Sequence, residues 1–339
     1  MMYFPFIKDT SKIISTFFSS TLVCLIMLLP ALALAEIGPK GYPNKTIRMV
    51  IPFAAGGPTD VVARLLIQKL SVSMGQALIL DNRGGGGAVL GTEIVAKAEP
   101  DGYTWLVSTG SMTSISAFNP NVPFDPIKDF APVTMVARNY GQLLTVSPKL
   151  PVQSVSELLT LAKAQPGKLN YGSAGIGNIT YIAAEMMKAK TGVNITDVQY
   201  KGTAPAVTDL LGSHLDLCFV PTQIVLPLVL EGKLKALAIT GPTRWKALPN
   251  VPTMEEAGVK GYELIGYFGI WLPAKTSPDI VNYIHSEVLK ALDDPELKKH
   301  FEEAGLVGVG SKPADFAKFA EKDTQEMKEL AKKIGLSAK

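Results

Sequence analysis

Two glycine-bearing turns are the places where this sequence could do chemistry. The apolar run Ile47–Ile51 breaks at Pro52, passes through Phe53-Ala54-Ala55-Gly56-Gly57-Pro58-Thr59-Asp60, and resumes at helical spacing with Val61, Val62, Leu65 and Leu66. A helix that starts there aims its first amides beyond the strand. Those amides have no partner inside the helix and carry partial positive charge. Gly56 and Gly57 leave the backbone bare enough for a carboxylate or phosphate to approach. No Gly-Lys-Ser/Thr follows, which excludes a nucleotide P-loop. The device recurs: Leu169–Gly172 runs into Ser173-Ala174-Gly175-Ile176-Gly177-Asn178, and Ile179, Ile182, Ala183 and Met186 mark a second helix.

Each candidate also has a plainer reading. Gly56 and Gly57 would serve an ordinary turn, and Asp60 would complement a helix dipole as readily as it would hold a water or a ligand hydroxyl or ammonium. Ser173, Gly175, Gly177 and Asn178 crowd more glycine and donor groups together than a tight connection needs, which favours ligand contact. Ser108-Thr109-Gly110-Ser111 ends a strand with hydroxyls and reads as a polar loop or as a ligand wall. Tyr200-Lys201-Gly202-Thr203 sets a cation and a hydroxyl at another strand end, where Lys201 is ordinarily solvated. The tract Asn82-Arg83-Gly84-Gly85-Gly86-Gly87 has no dinucleotide register and reads as a flexible loop.

Catalysis finds little support. His214, His285 and His300 fall on helices or helix ends, read as surface residues, and form no metal-ligand spacing. Ser173 lacks both a Gly-x-Ser-x-Gly elbow and a nearby base. A secreted hydrolase or isomerase acting on a small carboxylate is the alternative to a binding protein, and it would need a base near Ser173 or Ser111. Neither metal nor cofactor is expected.

The elements that must position these turns alternate. Strands are predicted at 47–51, 78–81, 104–108, 143–147, 169–172, 198–200, 215–220, 234–240 and 269–273. Helices are predicted at 60–74, 88–97, 155–165, 179–191, 204–212, 278–292, 295–304 and 313–335. Such alternation argues for α/β structure with mainly parallel sheets flanked by helices. With 339 residues, two lobes are the expectation: residues 36–139 with 265–339 as one and 140–264 as the other. Were each glycine turn at the mouth of its own lobe, both helix starts would face one cleft.

Residues 1–35 read as an export signal. Lys8 and Lys12 precede an apolar stretch, and Ala33-Leu34-Ala35 offers small residues before Glu36. The net charge of +3 comes with no clustered basic face, so a nucleic-acid partner is not expected. Beyond the signal only Cys218 remains; it reads as a small buried apolar residue, and no disulfide can form within the mature chain.

Taken together, Pro52–Asp60, Gly172–Gly177, Asp101-Gly102-Tyr103-Thr104, Pro123-Phe124-Asp125-Pro126, Tyr200–Ala206 and Leu248–Thr253 resemble the Bug-type receptors, the periplasmic solute-binding proteins of tripartite tricarboxylate transporters. The resemblance covers nearly all of the chain after the signal. It implies a monomeric, two-lobed periplasmic binding protein of type II-like fold that closes by a hinge on a small carboxylate and delivers it to integral membrane subunits. Carried over by position, Phe53–Asp60 would form one ligand loop, Ser173–Asn178 the other, and Ser108–Ser111 a wall. Phe53, Tyr181 and Tyr267 would exclude water. Tyr181 and Val220 stand where many members carry more polar residues, which implies a less polar pocket and an aromatic or aliphatic acid in preference to citrate.

Overall fold

Among the described residues eleven strands form, nine of them where the apolar runs lie. In chain order they are β1 (Ile47–Ile51), β2 (Leu78–Asn82), β3 (Thr104–Thr109), β4 (Phe130–Asn139), β5 (Gln142–Val146), β6 (Asn170–Ser173), β7 (Thr196–Gln199), β8 (Leu217–Pro221), β9 (Lys235–Ile239), β10 (Tyr267–Pro273) and β11 (Leu306–Gly308). The helices are α1 (Pro58–Ser73), α2 (Val89–Ala96), α3 (Ser111–Phe118), α4 (Val155–Ala164), α5 (Ile179–Thr191), α6 (Thr203–Leu211), α7 (Thr222–Leu230), α8 (Pro278–Asp293), α9 (Pro295–Glu303) and α10 (Pro313–Lys333). The structure, a computed structural model, describes Met1 and residues 38–119 and 121–336. The expected export segment otherwise lies outside the described residues. No described helix is long and apolar enough to cross a membrane.

Two sheets result, ordered β11-β4-β10-β3-β1-β2 and β7-β6-β8-β5-β9, within one compact unit, Ile37–Lys339. Both are mixed. Parallel pairing is confined to β1 with β2 and β3, and to β6 with β7 and β8; β4, β5 and β10 pair antiparallel with their neighbours. The expectation of mainly parallel sheets is corrected accordingly. Its cause is the route of the chain: β4 runs straight out of the first sheet through Tyr140 and Gly141 into β5 of the second. A strand that arrives without a crossover helix has no reason to lie parallel to its neighbours.

Thr240, fully buried, ties the two crossing segments together. Its Oγ1 accepts from Gln142 N at 2.8 Å and donates to Leu264 O at 2.6 Å, while Asn139 and Gly266 exchange backbone and side-chain bonds beside it. Helix α10 makes a third link. Phe316 packs on Trp271 and Tyr267 of the first sheet, and Met327, Leu330 and Ala331 pack into the core of the second.

Four elements go unannounced by sequence pattern. β4 contains Pro132, which argues against an inner strand, yet Pro132 faces Trp271 at a register shift, where a ladder bond is already interrupted. β11 is only three residues long. α3, Ser-Met-Thr-Ser-Ile-Ser-Ala-Phe, has poor helix propensity but is buried along most of its length, so packing decides. α7 carries Pro227 inside it. His285, expected at the surface, is half-buried on α8; desolvation pushes its pKa down despite the backbone carbonyls of Gly310 and Ser311, which favour the charged ring. Cys218 is free and buried, with its thiol pushed up to about 12 by burial, as suits a residue that packs as a small apolar one.

Candidate ligand site between the two sheets

Five helices begin at one small cavity between the sheets. It is lined by Pro58 and Thr59 at the start of α1, Gly110 preceding α3, Asn178 and Ile179 at the start of α5, Thr203 opening α6, and Pro221 preceding α7. Phe53, Thr109, Asn139, Gln142, Gly266, Tyr267 and Phe268 complete the wall. The space open to water centres is about 20 Å³, room for roughly one water molecule. None of these lining residues is charged. Each helix start carries about half a positive charge, so the helix ends offer the cavity positive potential without a lysine or arginine in its lining.

The loops around the cavity brace one another. Ala54 N donates to Lys201 O at 3.0 Å, Asn178 Nδ2 to Ser111 Oγ at 2.9 Å, and Ser114 Oγ to Gly177 O at 2.5 Å, each bond joining segments attached to different sheets. The Gly84–Gly87 tract, expected as a flexible loop, is a tight turn in this contact. Gly87 sits at φ +66°, so close to Ile176 that a Cβ on it would lie 2.2 Å from the Ile176 carbonyl oxygen.

Of the residues singled out in the sequence, Phe53, Thr59, Thr109, Asn178, Thr203 and Tyr267 line the cavity. The others stand behind it. Gly56 N donates to Asp60 Oδ2 at 3.0 Å, and Arg64 Nε donates to the same oxygen at 2.7 Å, so Asp60 closes its own turn. Burial alone would raise the Asp60 carboxyl, but the bonds from Arg64 and Gly56 outweigh it and hold the group low. Gly57 caps α1 in an extended conformation. Ser108 is fully buried with no partner for its hydroxyl, and Ser111 Oγ accepts from Thr109 and Asn178. Ser173 Oγ accepts from Gly175 N, while Gly175 and Gly177 press against Gly87 and Ile115. Lys201 is exposed and contributes only its carbonyl. Tyr181 turns its ring edge-on to Phe118 in the second core, and Val220 is buried in another apolar cluster. Neither lines the cavity, so the less polar pocket expected from these two positions loses its basis.

Gln142 and Asn139 are the functional candidates that sequence reading missed. Gln142 is 0 % exposed, and neither its Nε2 nor its Oε1 has a hydrogen-bond partner; Thr59 Oγ1 is equally buried and unpartnered. Buried polar atoms are nearly always paired, so three such atoms around one cavity mark where a guest would bond. Among the described residues no group of His, Cys, Asp or Glu is placed to hold a metal.

Behind Tyr267 lies a carboxylate. Asp323 of α10 accepts from Thr113 Oγ1 at 2.5 Å and from Tyr267 OH at 2.9 Å. Burial, aided by Glu326, pushes its pKa up despite these bonds and the nearby Arg138. The folded protein therefore holds this proton more tightly than the unfolded chain does. That contribution to stability is complete below the ordinary carboxyl value of about 3.9 and fades as pH rises through the raised one. Asp323→Asn keeps a neutral acceptor, so its melting temperature relative to wild type is expected to climb between pH 4 and pH 7. A difference that does not change with pH would show that Asp323 ionises freely in the fold.

Residues 62–336 match the family model described as the tripartite tricarboxylate transporter family receptor. The chain belongs to this receptor family. The receptor is 32% identical over 307 residues to the protein BugT of Bordetella pertussis, covering 90% of this chain and 94% of that one. Its fold superposes on the periplasmic binding protein BugD with a TM-score of 0.85 at 32% identity, over 88% of this chain and 100% of that chain. An R. palustris protein solved with adipate gives a TM-score of 0.84 at 34% identity, over 87% and 99% of the two chains. The receptor is accordingly a solute-binding protein and not an enzyme.

Proposed function

We propose that this receptor is exported by residues 1–35, acts in the periplasm as a monomer, and captures a small organic carboxylate for the integral membrane subunits of a tripartite tricarboxylate-type transporter. The observation that carries the reading is the convergence of five helix N-termini on a cavity with no charged lining residue. A carboxylate can be held by the positive ends of these helices and can accept from Thr59 Oγ1 without needing a side-chain cation. The R. palustris neighbour solved with adipate supports the ligand class. In this reading residues 36–139 with 265–339 and residues 140–264 move as two lobes about the segments tied by Thr240. Opening admits the ligand, and closing brings the loops of Ala54, Ser111 and Ser114 back together around it, over a space that the ligand holds wider than the one-water cavity of this structure. A ligand that bonds to both lobes favours the closed state by as much as its contacts differ between the two.

The test is a thermal-shift and calorimetric screen of the mature protein against mono-, di- and tricarboxylates. One class should bind with 1:1 stoichiometry and no product, adding about 2.7 kcal/mol of stability at a ligand concentration a hundred times Kd. Thr59→Val, which removes only the unpartnered hydroxyl, should weaken that binding by roughly tenfold or more. Absence of any carboxylate binding, or turnover of the ligand, would overturn the proposal.

A further inference from the structure

The amide of Gln142 makes a demand that a carboxylate cannot meet. Gln142 opens β5 at the crossing between the sheets, and its backbone is pinned by Thr240 on both sides: Gln142 N donates to Thr240 Oγ1, and Gln142 O accepts from Thr240 N. Its side chain is 0 % exposed, lines the cavity, and leaves both amide atoms without a partner. Beside it Gly266 carries no side chain; a Cβ there would lie 3.2 Å from Gln142 Nε2 and 2.9 Å from Asn139 Nδ2. Glycine at 266 thus keeps open the space in front of the two amides. Asn139 Oδ1 is already taken by Gly266 N, which leaves its Nδ2 as a donor.

The donor side of this wall suits any carboxylate oxygen. The acceptor, Gln142 Oε1, does not. A carboxylate has no hydrogen to give, and two facing oxygens repel, so a plain carboxylate leaves Oε1 desolvated and unbonded. An ammonium would donate, but the helix starts around the cavity disfavour a cation. What remains is a neutral group that both donates and accepts, a hydroxyl or a primary carboxamide.

Resting on the carboxylate reading above, we infer that Gln142 is a specificity-determining residue that selects carboxylates bearing a hydroxyl or carboxamide over isosteric ones lacking a donor. The selection comes from the mismatch. A site whose buried polar atoms are paired only by the right guest rejects the analogue that leaves them bare. A single water held between Oε1 and the ligand would erase the preference, because water supplies the missing hydrogen whichever ligand is present.

The experiment compares pairs of matched charge: 4-hydroxybutyrate against pentanoate, succinamate against levulinate, and L-malate against succinate. Calorimetry on the wild-type protein should show the donor-bearing member of at least one pair binding about tenfold or more tightly than its partner. Gln142→Leu should bring that ratio down towards one. Binding of both members of every pair with equal affinity would overturn the inference and leave carboxylate capture standing. So would a ratio that Gln142→Leu leaves unchanged. If none of the six binds at millimolar concentration while another carboxylate does, donor selection is likewise refuted. If no carboxylate binds at all, the reading beneath it falls too. If Gln142→Leu does not fold, equal wild-type affinities within every pair still overturn the inference.

Discussion

Gly87→Ala is expected to raise the Kd for the best carboxylate ligand by about a hundredfold while leaving the protein folded. Gly87 belongs to the first-sheet side of the site and Ile176 to the second, and an added methyl would sit 2.2 Å from the Ile176 carbonyl oxygen. No rotamer change can relieve that contact, because both partners are backbone. Gly175, at φ +100°, is also closely packed from the other side, its ideal Cβ lying 2.8 Å from the Gly87 Cα. The remaining escape is for the two sides to separate. A change that disfavours the closed form by about 3 kcal/mol lowers its population, and with it the apparent affinity, by a factor above 100 when closure is needed for binding. The left-handed φ at Gly87 adds about 1–2 kcal/mol of backbone strain for alanine, which sets the size of the expected fall in melting temperature. Affinity within about threefold of wild type would show that this contact plays no part in capture.

Phe316→Ala is expected to be the most destabilising single change outside the sheets, by about 3–5 kcal/mol in urea denaturation. Its ring is fully buried, lies 4.9 Å from Trp271 by centroids, and stands edge-on to Tyr267. It also fills the hollow left by Gly269, whose missing Cβ would be 2.4 Å from the Phe316 ring. Because the same helix carries Ala331 into the core of the second sheet, loosening it weakens both halves at once. A loss below about 1 kcal/mol would mean that α10 is held elsewhere.

The two glycine turns were legible in the sequence because a helix start is a local signal: a strand, a glycine, a capping residue and an apolar period all fall within one short stretch. Thr59 and Asn178 could be named on that basis, and Thr203 as a hydroxyl at a strand end. Gln142, Asn139, Gly266 and Pro221 could not. Asn139 and Gln142 flank the β4–β5 crossing, Gly266 lies on the return segment and Pro221 ends β8; they meet because the return segment runs beside the crossing, and no local pattern encodes that their side chains face one cavity. Read locally, Gln142 is a polar residue before an apolar strand, which is how a solvated strand end looks. Tyr181 misled for a related reason. It lies three residues after the capping Asn178, close in sequence to the turn, but helical geometry points its ring into the core. Lys201 was singled out for its charge, whereas the structure uses its carbonyl. The mixed sheets followed from the unseen β4, since Pro132 masked the strand that carries the chain across.

The uncharged lining of the cavity also bears on the medium in which the protein works. Charges on a protein surface are screened by dissolved ions over about 8–10 Å at ordinary ionic strength, so a grip built from exposed lysines would loosen in brine. Helix ends sealed inside a closed space are out of reach of those ions. If the two halves part and close as proposed, an anion held there is retained with little dependence on salinity once they have closed, and its escape is timed by how often they part.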